Sequence, residues 1–284
     1  MPLYGRAPLQ VTFTDTSTPE DVTYWHWDFG DGNTSEEQNP VHMYNSVGEY
    51  TVTLNIASPR GIDTFTDVVH ATGLLSLWKL EEASGTRADA IGNNDLTDIN
   101  STGSVAGVDG DAADFVAASL NYLEGGLVDI GGTSGFSAAF LVKLTTKSNF
   151  EHLIGVDDGA SGRSFAVFAG AAGQVAVQAF DPAGNDISAT INVALSDTTV
   201  WHFVCARWDP SDGKVKLYHN SAVLGPNTAE SAGTLASLAE PDVPLRLGWL
   251  NSTYYMDGAL DEVRLYNTAI TDAEIDALYA LWSL

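Results

Sequence analysis

Residues 201–220, WHFVCARWDPSDGKVKLYHN, decide how the rest of the chain is interpreted. Apolar side chains recur at Trp201, Phe203 and Cys205, the period of two that is typical of a strand with one face in a core. PSDG at 210–213 supplies turn residues, because proline presets φ and glycine accepts positive φ. A second apolar run, 215–218, follows this turn. The stretch therefore predicts a β-hairpin at the centre of a large antiparallel sandwich.

The composition indicates a folded chain with many turns. The chain has 284 residues, of which 44% are hydrophobic and 17% charged, so it can form sizeable cores. Its 27 glycines indicate numerous tight turns, as expected of an all-β chain. The length suits two domains, or one large domain with an appendage.

The charge is strongly acidic, with 37 Asp and Glu against 12 Lys and Arg, a formal net charge of -25. Such a surface repels phosphate backbones and anionic lipids and favours divalent cations, which argues against a nucleic-acid partner. No apolar run is long enough for membrane insertion. The single cysteine, Cys205, excludes an intrachain disulfide, and its strand phase predicts a buried apolar role.

Residues 1–72 carry the most specific motif, WHWDFGDG at 25–32. APLQVTF at 7–13 precedes it, and NPVHMY at 39–44 and GEYTVTL at 48–54 follow it. This order resembles a PKD domain, a small immunoglobulin-like β-sandwich. Such domains usually begin with a further edge strand, so we expect a first strand that is short, absent or supplied by a neighbour. An unpaired sheet edge would be a site for pairing with another chain.

Residues 73–284 carry a second series of motifs, which runs almost the length of the segment. The series consists of LSLWKLEEASGT at 75–86, DAIGNNDL at 89–96, GDAADF at 110–115, NYL at 121–123 and YMDGALDEVRLYN at 255–267. It resembles the laminin-G-like branch of the concanavalin A-like lectin fold. The resemblance implies a jelly roll of two packed antiparallel sheets. The fold class is thus all-β: an immunoglobulin-like sandwich followed by a larger antiparallel jelly-roll sandwich.

One short C-terminal helix completes this prediction. Thr271 and Glu274 form a capping box, and Ile275, Leu278 and Trp282 then recur at helical spacing. This apolar stripe is expected to pack on the domain's own sheet, or alternatively on a partner subunit.

The sequence shows no catalytic set, so we expect a non-enzymatic protein. A nucleophile elbow, a zinc-binding His-Glu-x-x-His motif and a phosphate-binding glycine loop are all missing from the sequence. Two carboxylates can suffice for glycoside hydrolysis, but abundant acidic residues do not by themselves define a pair. The family resemblances imply binding rather than turnover.

A structural Ca²⁺ is the predicted cofactor. Asp89, Asn93 and Asn94 offer hard oxygen ligands on one loop, which suit calcium. Domains of the resembled type often hold structural calcium, and Asp261 falls in a motif that commonly packs near this loop. The alternative is an Asx-rich turn held by its own backbone.

Trp249, Asn251 and Tyr254 are the candidate glycan-binding residues. Trp249 stands where related sequences tend to carry small or polar residues, and an amide and a second aromatic follow it. An aromatic plane beside polar groups is what sugar stacking requires. The alternative for Trp249 is a packing or interface role.

Both resembled families work outside cells, although the chain has Met1 and no export signal at its start. A piece of a larger secreted protein, a virion protein and export through a C-terminal signal would each explain this. The favoured hypothesis is a surface-displayed structural or adhesion protein, on a phage capsid, tail or fibre, that binds host glycans. The alternative is a carbohydrate-binding and spacer region of a secreted polysaccharide-degrading enzyme or bacterial adhesin. The expected location is extracellular or on a virion surface. The expected partners are glycans, other virion or cell-surface proteins, and further copies of the chain.

Overall fold

A computed structural model describes most of the chain, in two compact units, Met1–Leu74 and Leu75–Leu284. The described residues are 3–6, 9–18, 21–45, 48–128, 130, 135–146, 150–157, 162–192, 195, 197–220, 228–240, 242–250 and 254–282. Both units are built from strands, as the all-β prediction requires.

The first unit is a sandwich of two sheets. Its strands are β1 (Leu3–Arg6), β2 (Leu9–Thr12), β3 (Tyr24–Asp28), β4 (Thr34–Ser35), β5 (Val41–Tyr44), β6 (Gly48–Ser58) and β7 (Gly61–Thr72). One sheet has the order β1-β7-β6-β3-β4, and β2 pairs with β5 in the other. The four-residue β1 runs parallel to the end of β7, so the first edge strand is present and short.

Aromatic side chains fill the core of this unit. Trp27 and Tyr44 are buried, and the Tyr44 hydroxyl donates a hydrogen bond to the Phe29 carbonyl at 3.1 Å. His42 stacks on Phe29 with ring centroids 4.1 Å apart, and one of its ring nitrogens lies 2.8 Å from an Asp31 carboxylate oxygen. His42 is therefore a structural side chain at the edge of this core.

The second unit contains fifteen strands and one α-helix among its described residues. They are β8 (Leu74–Trp78), β9 (Thr97–Ile99), β10 (Gly103–Ala106), β11 (Asp111–Phe115), β12 (Tyr122–Glu124), β13 (Phe136–Leu144), β14 (Glu151–Val156), β15 (Phe165–Gly170), β16 (Gln174–Phe180), β17 (Asp186–Ile191), β18 (His202–Asp209), β19 (Lys214–His219), β20 (Thr228–Glu230), β21 (Arg246–Leu247), β22 (Gly258–Tyr266) and α1 (Asp272–Ala280).

These strands form two packed sheets. The back sheet has the order β10-β11-β22-β13-β18-β19-β20, with β8 also paired to β22. The front sheet has the order β17-β16-β15-β14-β21-β12-β9. Apolar residues from both sheets, among them Phe140, Phe165 and Leu247, make one continuous core. This is the jelly-roll arrangement that the motifs predict.

The central hairpin forms as predicted, and both faces of its first strand, β18, are buried from His202 to Trp208. Val204, Ala206 and Trp208 point into the core between the sheets. Phe203 is buried as well, but it lies on the opposite face of β18, which is the outer face of the back sheet. Cys205 shares that outer face and is buried and free.

Helix α1 covers this outer face. Ile275 is completely buried, and the rings of Tyr279 and Trp282 lie 6.0 and 5.7 Å from the Phe203 ring. Thr271 and Glu274 form the predicted capping box at the helix start. The apolar stripe of the helix thus packs on the domain's own sheet.

Candidate functional site

The front sheet presents an aromatic and charged group that we call the Trp249 cluster: Tyr122, Glu124, Arg246, Trp249 and Tyr255. Strands β12 and β21 are neighbours, and their register places Glu124 directly opposite Arg246. Alternation along the strands puts the buried Leu123 and Leu247 into the core. The outer face therefore receives Tyr122, Glu124 and Arg246.

Trp249 is held against this face by a turn that requires glycine. Gly248 has φ +84, and a Cβ atom there would clash with the Phe115 ring. The Met256 amide donates to the Gly248 carbonyl at 2.9 Å, and Trp249 forms an isolated bridge with Tyr255. The tryptophan side chain is half-buried as a result.

The aromatic rings and the charged side chains of the cluster contact one another. Trp249 stacks on Tyr122 with ring centroids 4.6 Å apart and planes at 29°, and the Tyr255 ring lies 6.1 Å from it. The Arg246 guanidinium carbon is 4.4 Å from the centroid of the Trp249 ring. Arg246 Nε also donates to Glu124 Oε2 at 2.9 Å. The result is a composite surface of aromatic faces and polar edges.

His152 is buried beside the cluster. The His152 ring lies against Gly155 and contacts the Phe168 ring edge-on, with ring centroids 5.5 Å apart. Gly155 pairs with Arg246 between strands β14 and β21. Neither ring nitrogen has a hydrogen-bond partner among the described residues. Burial, with a smaller contribution from the Arg246 charge, lowers the pKa of His152 to about 3. The imidazole is therefore uncharged at neutral pH.

The three predicted glycan residues do not all join this cluster. Tyr254 contacts Phe150 edge-on at 6.5 Å, and Phe150 is 57% exposed. This second aromatic pair follows Trp249 in the chain but involves different partners. Asn251 lies outside the described residues. The assignment of Trp249, Asn251 and Tyr254 to glycan binding stays a prediction.

The predicted calcium ligands are engaged with nearby backbone. Asp89 Oδ1 accepts from the Leu77 and Ile91 amides at 3.0 and 3.2 Å, and Oδ2 accepts from the Asn94 amide at 3.3 Å. The Asn94 side chain donates to Ser76 at 2.7 Å, while Asn93 is exposed. These contacts are those of an Asx-rich turn, which was the alternative explanation of the loop.

Asp261 holds a different turn. Its Oδ2 accepts from the Val108 amide at 2.8 Å, and Oδ1 is buried without a partner in the described part of the chain. Burial first, and then the neighbouring Glu262 charge, raise the pKa of Asp261 to about 7. Within the described residues, no three His, Cys, Asp or Glu side chains come together as a metal-binding group. Calcium binding by Asp89, Asn93, Asn94 and Asp261 stays a prediction.

Sequence reasoning missed the partners of Trp249. In the sequence, Tyr122 is distinguished only as part of the NYL motif, and Glu124 and Arg246 carry no local signal. Their pairing joins residues 122 positions apart, so it depends on the strand register and not on spacing. None of the helices formed by the described residues has the length and apolar character needed to span a bilayer.

Comparison with known proteins agrees with this architecture. The family model of the concanavalin A-like lectin/glucanases superfamily matches residues 119–276, and a PKD domain model matches residues 5–72. A microbial collagenase from Vibrio alginolyticus is 46% identical over 75 residues, which are 24% of this chain and 9% of that protein. Collagenase ColA from Bacillus cereus is 38% identical over 63 residues, 21% of this chain and 7% of that protein. The matched segment is thus less than a tenth of either relative.

Two solved structures share the fold of the larger sandwich. Domain 4 of AbnA, an extracellular arabinanase from Geobacillus stearothermophilus in complex with arabinotriose, has a TM-score of 0.55 at 17% identity, covering 72% of this chain and 98% of that domain. The binding domain of botulinum neurotoxin serotype G has a TM-score of 0.57 at 14% identity, covering 74% of this chain and 51% of that domain. With these matches and the two-sheet jelly roll, the chain belongs to the concanavalin A-like lectin/glucanase superfamily, with a PKD domain ahead of its lectin-like domain.

Proposed function

We propose that the chain is a non-enzymatic glycan-recognition protein that works outside the cell. In this proposal the Trp249 cluster binds an oligosaccharide, and the PKD domain serves as a spacer or adhesion unit. The observation that carries the proposal is the stacked set of Tyr122, Trp249 and Arg246 on the outer face of the front sheet.

The chemistry of the cluster suits a sugar. The apolar C–H face of a sugar ring packs on aromatic carbon, while its hydroxyls exchange hydrogen bonds with nearby polar groups. The Arg246 guanidinium supplies donors in a fixed fork, and the Glu124 carboxylate supplies acceptors. Trp249 is itself stacked on Tyr122, so the composite surface rather than a single free indole face provides the platform.

Isothermal titration calorimetry of the whole chain with a panel of oligosaccharides tests this proposal, with arabinotriose as the first probe. We expect Trp249→Ala to weaken binding about tenfold or more, because a central aromatic anchor carries a large share of binding energy. Phe65→Ala removes an aromatic side chain of the PKD domain that is 63% exposed, and it is the matched control. Equal affinities of Trp249→Ala and the parent chain would reject the site.

Tyr254 enters this proposal as an extension of the surface toward Phe150, and Asn251, three positions earlier in the chain, remains a predicted glycan contact. Phe150 and Tyr254 form an aromatic pair of their own, which would contact a second sugar unit of a longer oligosaccharide. Tyr254→Ala should therefore weaken the binding of longer oligosaccharides more than that of short ones.

Two carriers of this glycan-binding protein fit the fold. One is a phage virion, where the chain would decorate a capsid, tail or fibre. The other is a carbohydrate-binding and spacer region of a secreted polysaccharide-degrading enzyme or adhesin. Similarity to segments of collagenases and to a domain of an extracellular arabinanase supports the second carrier.

Gene context and oligomeric state separate the carriers. Flanking capsid or tail genes and a stable homo-oligomer in light scattering would support the virion. A reading frame that continues into a catalytic domain would support the enzyme region. Release of sugar products by the chain alone would contradict a non-enzymatic role in either carrier.

A further inference from the structure

The charges around the Trp249 cluster define the class of sugar that it takes. Resting on the proposed function, we propose that this site selects uncharged oligosaccharides and discriminates against sugars that carry carboxylate or sulfate groups.

The cation within the cluster is already neutralised. Arg246 Nε donates to Glu124 at 2.9 Å, and strand register holds the two residues side by side. The side chains are 13% and 30% exposed, so solvent screens the pair only partly. An anionic sugar would have to approach Glu124 to reach Arg246. The carboxylate therefore repels an anion while leaving guanidinium donors to bind neutral hydroxyls.

The neighbouring histidine adds no positive charge. His152 lies on the sheet beside Arg246, fully buried, with Phe168 against its ring. Its lowered pKa keeps the imidazole neutral throughout the physiological pH range. A site for carboxylated or sulfated sugars would instead place several free cations within reach of the ligand.

The distribution of cations between the two sheets points the same way. Across its seven strands, the front sheet contains a single Lys or Arg, which is Arg246. The strands of the back sheet contain five: Lys143, Arg207, Lys214, Lys216 and Arg264. With a net charge of -25 and a single cation among the described strands of the front sheet, the chain attracts an anionic ligand to this sheet only weakly.

Removal of the Glu124 charge tests the inference. Glu124→Gln keeps the shape of the side chain but frees the charge of Arg246. Calorimetric titrations would compare arabinotriose and other neutral oligosaccharides with sialyllactose and a sulfated disaccharide. The parent chain should bind a neutral probe at least about tenfold more tightly than either acidic probe, and E124Q should gain about tenfold toward the acidic probes, the factor expected for one charge-assisted hydrogen bond.

Glu230→Gln is the matched control. Glu230 pairs with Lys214 at 2.6 Å on the back sheet, so its substitution frees a cation far from the cluster in the sheet order. E230Q should gain nothing toward acidic sugars. Thermal melts confirm that both variants fold. As a second measurement on the parent chain, neutral-sugar binding should change little between low and high salt, because it does not depend on net charge.

The outcomes separate the two proposals. Acidic sugars that bind the parent chain as tightly as neutral ones would overturn the selectivity while leaving glycan binding intact. An E124Q chain that folds but gains no affinity for acidic sugars would overturn the assigned role of Glu124. Failure of both sugar classes to bind the parent chain would overturn the proposed function itself.

Discussion

The outer faces of the two sheets each place an arginine over an aromatic ring and pair it with a carboxylate. On the back sheet, Arg207 lies 5.3 Å from the Tyr218 ring and contacts Asp272 at 2.9 Å. On the front sheet, Arg246 lies 4.4 Å from the Trp249 ring and contacts Glu124 at 2.9 Å. The same three kinds of side chain thus occur on both faces.

The two faces differ in the element that supplies the carboxylate. Asp272 belongs to α1, so its ion pair with Arg207 ties a second layer to the back sheet, and Arg207 also donates to the Ile270 carbonyl at 2.6 Å. Glu124 belongs to the strand next to Arg246, so that pair lies flat on the front sheet. The same set of side chains thus ties a covering layer to the back sheet, whereas on the front sheet it stays at the surface, where we propose that it binds a glycan.

The largest expected effect comes from the covered face. Phe203→Ala removes a fully buried ring that Tyr279 and Trp282 contact, and should lower the free energy of unfolding by about 3–5 kcal/mol. Urea denaturation measures this, with Phe65→Ala as the exposed control. Glycan affinity at the front sheet should persist in the folded variant. A stability loss as small as that of the control would mean that α1 does not stabilise the back sheet.

A smaller effect is expected where the two sheets meet. Glu151 at the start of β14 accepts from the Asp257 amide just before β22 at 3.1 Å. Burial first, and then the Asp257 charge, raise the pKa of Glu151 to about 7. Because the unfolded carboxyl ionises near its usual pKa of 4.5, the contribution of Glu151 to stability is full below that pH and falls as the pH rises to about 7.

Glu151→Gln should remove this loss. Relative to the parent chain, the variant should gain about 1–2 kcal/mol of unfolding free energy between pH 5 and pH 8, allowing for solvent screening. Denaturation at both pH values measures the difference. Burial first, and then the His202 charge, lower the pKa of the buried His219 to about 4. Its contribution to stability has the opposite pH dependence, because it is lost as the pH falls from 6.5 toward 4. A pH-independent difference between Glu151→Gln and the parent would contradict the Glu151 assignment.

The smallest effect concerns calcium. We keep the Ca²⁺ proposal for the Asp89–Asp95 loop, with Asp261 as a further ligand, although backbone amides already use Asp89. A calcium concentration several-fold above the dissociation constant would raise the free energy of unfolding by about 1 kcal/mol. Thermal melts with calcium and with a chelator measure the shift, and Asp89→Asn should abolish it. Identical melts would leave the loop as an Asx-rich turn.

The general architecture was readable because it rests on local patterns. Alternation and turn residues in 201–220 predicted β18, β19 and the turn between them, and the capping box predicted the start of α1. Alternation could not show that Phe203 and Val204 face different buried layers. That distinction depends on a helix more than sixty residues downstream of β18.

The candidate site was less predictable for a related reason. Trp249 stands out in the sequence as an aromatic residue followed closely by an amide and a second aromatic, which is a local property. Its contacts with Tyr122 and Arg246 follow from a turn at Gly248 and from pairing of β12 with β21. Register between distant strands is set by the whole sandwich, so local sequence did not contain it.

Long-range pairing also sets the order in which the two units can fold during synthesis. Glu124 meets Arg246 across 122 residues, and Asp261 meets Val108 across 153, so the lectin-like domain closes only after its last strand has left the ribosome. The PKD domain completes its contacts within the first 74 residues and can fold earlier. In the proposed function, a chain truncated before β22 would therefore keep a folded PKD domain but lack the glycan-recognition surface of the second unit.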